Sequence, residues 1–185
     1  GKAIWEQVDK SRAMSLVFTP DGNRLAALHS AGDLRVHDSL TGKPVWQRSL
    51  PVNKEECAVI ANKTHIFVFK NDGTLWSLDG ASGKTSWMLP ASMKPFSSPR
   101  ISECITLSPD GGCVFALRSA KDVAVVDAGS GNILYKLVEK AQGQPLCLAF
   151  SPNGQYLGIS VGSQVSFGPW GKDYRMSQQW SRSYL

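Results

Sequence analysis

The sequence is poor in the residues from which reaction centres are usually built. Only three histidines occur in 185 residues, His29, His37 and His65. None stands near a Ser or Cys nucleophile motif, which argues against a hydrolytic triad. The four cysteines, Cys57, Cys104, Cys113 and Cys147, show no Cys-x-x-Cys spacing and no histidine at ligand spacing, so a metal site is not expected. No helical periodicity of any length is found, and with it no glycine-rich phosphate loop leading into a helix. No apolar run approaches the ~18 residues of a membrane span, and no signal peptide opens the chain. Charged residues make up only 19% of the chain. The net charge is +5 but its basic residues are scattered, which favours a solvated surface over a nucleic-acid track.

What the chain has in abundance is one phrase, written repeatedly. Asp38 to Trp46, Asp79 to Trp87 and Asp127 to Tyr135 each place a Gly four residues after the Asp and an aromatic four after the Gly. Gly1-Lys2-Ala3-Ile4-Trp5 is the second half of the same phrase. The chain starts there without Met, which predicts that an upstream segment has been removed. Gly1, Gly42, Gly83 and Gly131 are separated by 41, 41 and 48 residues. A period near 41 is the length of one four-stranded propeller blade. Each such unit buries its faces only against its neighbours, so the repeat outweighs any domain count taken from length.

Within a unit, short alternating apolar runs are separated by turn residues, as four antiparallel strands require. Met14 to Phe18 stops at Thr19-Pro20-Asp21-Gly22, where Pro fixes φ and Gly permits a positive one. Arg24 to Leu28, Leu34 to Asp38 and Pro44 to Arg48 complete that unit. The predicted units are 1–8, 13–50, 54–90, 101–138 and 145–168, with 169–185 as a C-terminal tail or a degenerate last strand near Tyr174 to Gln178. Gly168 is expected where the last closing Asp would stand. The fold class is therefore all-β: a β-propeller of four-stranded antiparallel blades, about four in this chain. Ile4 to Val8 reads as an outer strand that could complete the three-stranded last unit and close a four-blade ring. The other arrangement is part of a larger propeller whose missing blades come from more of the chain or from another subunit.

The units resemble WD-repeat and quinoprotein-like β-propeller blades. Phe18 to Gly22, Leu107 to Gly111 and Phe150 to Gly154 resemble the first hairpin of a WD-repeat blade. Gly73 to Asp79 with Gly83, Lys84 and Trp87 is similar to the quinoprotein-type repeat. The Trp-Asp pair is replaced by His37-Asp38, Leu78-Asp79 and Val126-Asp127, so packing between blades is expected to rest on Leu16, Phe18, Leu25, Val36, Trp46 and their equivalents. His37, in the Trp position, is expected to pack. The resemblance implies a non-catalytic scaffold for protein–protein interaction within a larger assembly, without cofactor. A fragment of a quinoprotein-like oxidoreductase is the second reading, although the adjacent-cysteine pair of many such enzymes is missing. A nucleic-acid-associated propeller is the third.

Aligning the units puts Cys57, Cys104 and Cys147 at one position, with Ser15 in the fourth copy. Equivalent positions in neighbouring blades lie too far apart to bridge, so buried free thiols are expected. Free thiols favour a reducing compartment, cytoplasm or nucleus. For partners, counting nine residues back from each closing Asp gives His29, Lys70 and Arg118, all at the end of a second strand. Together with Arg12, Lys54 and Arg100 in nearby loops they predict a basic arc for acidic protein surfaces. Trp170, Tyr174 and Trp180, set among basic residues of the tail, form a second candidate contact, for a protein interface or for stacked bases.

Overall fold

The computed structural model describes residues 3–8, 10–52, 57–92, 101–117, 122–138, 145–161, 164–169 and 181–184. Sixteen strands fall into four sheets of four. The first blade is β1 (Ala13–Phe18), β2 (Arg24–His29), β3 (Asp33–Asp38) and β4 (Pro44–Ser49); the second is β5 (Cys57–Ala61), β6 (His65–Lys70), β7 (Leu75–Asp79) and β8 (Thr85–Leu89). The third is β9 (Ile105–Leu107), β10 (Cys113–Leu117), β11 (Asp122–Asp127) and β12 (Ile133–Val138). The fourth is β13 (Pro145–Phe150), β14 (Tyr156–Val161), β15 (Gln164–Pro169) and β16 (Ser181–Tyr184). In every sheet the strands lie side by side in chain order and run antiparallel. A single 3₁₀ turn among the described residues, Ile101–Cys104, precedes β9. No helix among the described residues is long and apolar enough to cross a membrane.

Two-residue alternation explains how one sheet serves two neighbours. In the second blade Val59, Ala61, Ile66, Val68 and Leu78 pack toward the first blade with Leu28, Leu34 and Val36. Ala58, Phe67, Phe69 and Leu75 point the other way and pack with Val114, Phe115 and Val125 of the third. Leu148, Leu157 and Ile159 of the fourth blade extend that second cluster. The first strands of consecutive blades face one another along the inner side, β1 against β5, β5 against β9 and β9 against β13. The result is an open arc of four blades rather than a closed ring.

Three expectations are corrected. Ile4 to Val8 is not a strand, and the fourth strand of the last blade is β16, supplied by the C-terminal segment. Tyr174 to Gln178 lies outside the described residues. In the last blade Tyr156 pairs with Pro169, as Cys113 pairs with Asp127 and His65 with Asp79, so Pro169 and not Gly168 stands at the closing position. Leu16 and Phe18 do not pack between blades: they are 60% and 59% exposed, because they lie on the side of the first blade that no described blade covers. Their register equivalents in the second blade, Val59 and Ala61, are 4% and 8% exposed.

The cysteines form no disulfide, as the spacing predicts. The alignment of Cys57 is one residue out. Ala58 lies opposite Phe69 just as Ser15 lies opposite Leu28 and Cys147 opposite Ser160, so Ala58 holds the shared position.

Candidate interaction face

The repeated phrase folds as a seam between blades. Trp46 reaches over to the second blade and donates its indole N–H to Gly80 O at 3.0 Å. Trp87 does the same to Ala128 O at 3.0 Å, and Trp5 to Ser39 O at 2.8 Å. Each acceptor is the residue after a closing Asp. Under each ring lies the Gly four residues after that Asp, Gly42, Gly83 or Gly131, with φ of 68°, 71° and 77°. A Cβ there would fall 2.7, 2.7 and 2.6 Å from the ring, so the Gly is fixed twice, by its backbone conformation and by the indole above it. His37 is buried with its ring 6.0 Å from that of Trp5, a packing role as expected.

The Asp of the phrase holds the turn on which the indole sits. Asp38 accepts hydrogen bonds from Thr41 N and Oγ1 at 2.8 and 2.7 Å. Asp79 accepts from Ser82 N and Oγ at 2.7 and 2.6 Å, and Asp127 from Ser130 N and Oγ, both at 2.8 Å. Hydrogen bonds to the ionised form hold all three carboxylates below their ordinary value of 3.8: chiefly the Thr41 hydroxyl, the Ser82 hydroxyl and the Ser130 amide respectively. The hydroxyl residue three places after each Asp is a signal present in all three complete copies of the phrase, and the spacing of Asp, Gly and aromatic alone does not include it.

These turns share one face with the β1–β2, β5–β6, β9–β10 and β13–β14 turns, and two grooves open there. One, of about 560 Å³, runs between the second and third blades past Thr64, His65, Pro109, Asp110 and Ala128. The other, of about 310 Å³, lies between the first and second past Asp21, Arg24, Asp79 and Ala81. Asn62, Lys63 and Thr64 line both. This is the one turn of its kind that departs from the Ser/Thr-Pro-Asp/Asn-Gly form. Asn62 replaces the motif with its own side chain, its Oδ1 accepting from Thr64 N at 3.0 Å and His65 N at 2.7 Å. Its amide nitrogen reaches across to Gly111 O of the third blade at 2.9 Å. Lys63 and Thr64 are left exposed at the crest between the two grooves.

The basic arc lies on the opposite face. His29 and Lys70 occupy matching strand ends, as the spacing predicts. The His29 ring is buried, with Nδ1 3.1 Å from Ser11 O and 3.2 Å from Ser11 Oγ. Lys70 Nζ is paired with Asp72 at 3.1 Å. Burial pushes the Asp72 carboxyl up, but bonds from the Thr74 hydroxyl and amide and from Lys70 outweigh it and hold the group low. Arg12 is exposed and its backbone carbonyl accepts from Ser30 N. Arg118, Lys54, Arg100, Trp170, Tyr174 and Trp180 lie outside the described residues. Among the described residues no three His, Cys, Asp or Glu side chains converge as metal ligands.

A family model described as "Outer membrane protein assembly factor BamB" matches residues 1–145. The chain belongs to this family. The match covers the seam residues Trp5, Trp46 and Trp87 and ends at the start of the fourth blade. No curated protein matches the chain in sequence. Among solved structures it is similar to BamB from Moraxella catarrhalis, with TM-score 0.65 and 16% identity over 90% of this chain and 49% of that one. It is similar also to the Cps50 (Swd1) β-propeller domain of Myceliophteria thermophila, with TM-score 0.67 and 14% identity over 92% of this chain and 57% of that one. A third is hydrazine synthase of Kuenenia stuttgartiensis, with TM-score 0.65 and 18% identity over 88% and 46%. At these identities the likeness is one of fold. The chain spans about half the length of the solved structures it matches.

Proposed function

We propose that this chain is a non-catalytic scaffold that binds a protein partner on its turn face. The observation that carries this is the crest Asn62-Lys63-Thr64 standing between two open grooves. Rigid strands hold the crest in place, and its exposed side chains differ from those of every other copy, which is how a repeat fold presents specificity. The family description, an assembly factor, supports a role in building larger protein complexes. The grooves fit an extended segment of a partner, with Lys63 favouring an acidic one.

A photo-crosslinking residue placed at Lys63, and separately at the exposed Ala31 on the opposite face, tests the reading in the cells that express the protein. A discrete protein adduct from position 63, absent from position 31, is the expected result. Adducts from position 31 alone would move the partner to the strand-end face and overturn the assignment.

A further inference from the structure

The two ends of the arc are unlike each other. On the first blade the uncovered side presents Leu16 and Phe18, large and exposed, at positions whose equivalents in the second blade are closed over by a neighbour. On the fourth blade Leu148, Phe150, Leu157 and Ile159 pack back onto the third. Strand alternation therefore turns Cys147, Ala149, Gly158 and Ser160 to the uncovered side. That end is built from small residues and offers room, whereas the other end offers bulk.

The seam residues are just as asymmetric. Trp5 is already seated on Gly42 with its N–H on Ser39 O, where the outer strand of a preceding blade would place its indole. At the other end, Phe167 pairs with Ser181 just as Val36 pairs with Trp46, so the outer strand of the last blade carries Ser at the seam position. In register, Trp5 to Val8 corresponds to Trp46 to Ser49 and to Ser181 to Tyr184. The chain thus begins with a seam tryptophan that lacks its sheet, and ends with a sheet that lacks its seam tryptophan.

We propose that a second copy of this chain supplies what each end lacks. Two four-blade arcs join head to tail, the first blade of each against the fourth blade of the other. Residues 5–8 of each copy take the place of Ser181–Tyr184 beside β15 of its partner. Both seams are then the same contact, related by a two-fold axis along the centre of the ring, and closure leaves no open end. Eight blades is within the usual size of a propeller. It also agrees with a chain that covers 49% of a solved family member.

The test is the mass of the 185-residue chain in solution by analytical ultracentrifugation across a concentration series. Two copies of the 20.1 kDa chain are expected. Phe18→Asp buries a charge in each seam and Ala149→Trp fills the space opposite, so each variant alone should raise Kd by at least about 30-fold. Both positions are exposed in the single arc, so both variants should keep the wild-type melting temperature when measured as single copies. An equal mixture of the two retains one intact seam and should return a two-copy species. A wild-type mass of one copy at every concentration overturns the proposal. Open assemblies of more than two copies, or a mixture that stays single, overturn it equally.

Discussion

The indole of Trp46 lies directly over Gly83, close enough that a Cβ on the glycine would sit 2.7 Å from the ring. The same relationship recurs at Trp5 with Gly42 and at Trp87 with Gly131, so it marks each junction from the start of the chain to the third blade. It ties the turn chemistry of one unit to the outer strand of the unit before it.

Gly83→Ala should therefore lose more than backbone freedom. Gly22 has a similar φ, +73° against +71°, but nothing lies within 4 Å of its missing Cβ. Gly22→Ala is expected to cost about 1 kcal/mol, for the left-handed conformation alone. Gly83→Ala should cost about 3 kcal/mol, since the ring must also move. Urea unfolding of the two variants side by side gives the difference.

Trp87→Phe removes the N–H donated to Ala128 O while keeping an aromatic body on Gly131. A loss of about 1–3 kcal/mol is expected, part of it from the carbonyl left without its donor. Thermal unfolding measures it. Trp5→Phe should cost less, since Trp5 joins a blade to a segment that forms no strand.

Acid should weaken the fold in a defined window. Asp38, Asp79 and Asp127 are held below the ordinary value of 3.8 in the folded chain. The folded state thus binds protons less readily than the unfolded one, and the stability this provides is fully present above the unfolded value. It is lost as pH falls through the folded values. Melting temperature should be level from neutral pH to about pH 5 and decline below about pH 4. Asp79→Asn, whose amide oxygen accepts the same Ser82 bonds without titrating, should make that decline shallower. An unchanged acid slope in the variant contradicts the role given to Asp79.

Asn62→Ala removes the acceptor that shapes its turn and the donor to Gly111. A cost of about 1–3 kcal/mol is expected, with crosslinking from position 63 reduced because the crest is no longer held. Lys63→Ala should leave stability within about 0.5 kcal/mol, as an exposed substitution does. Denaturant melts of both variants separate the scaffold from the surface it carries.

Much of the fold was legible because one spacing carries it. Asp, Gly and Trp at intervals of four set the turn, the seat and the ring, and the three-fold copy made the blade plain. Thr41, Ser82 and Ser130 stood in the sequence at a constant distance from the Asp, yet their role emerges only when the carboxylate is seen to accept from them. The last outer strand was not legible because its markers are gone: Pro169 stands for the Asp and Ser181 for the Trp. Leu16 and Phe18 show a different limit. Their pattern is that of buried residues, and nothing local in a strand reports which of its two sides has a neighbour. For the candidate site, His29 and Lys70 were placed correctly at strand ends, but the burial of one and the Asp72 partner of the other depend on residues outside the motif. The crest at Asn62 was visible only as a turn that broke the pattern.

The central claim is that consecutive units stack as blades with each Trp on the next unit's Gly, and its most direct test is through-space NMR in solution. Ring protons of Trp46 should show nuclear Overhauser effects to the α-protons of Gly83, and those of Trp87 to Gly131, 37 and 44 residues away in sequence. Indole rings near only their own unit's residues, with neither glycine in range, would contradict the blade arrangement.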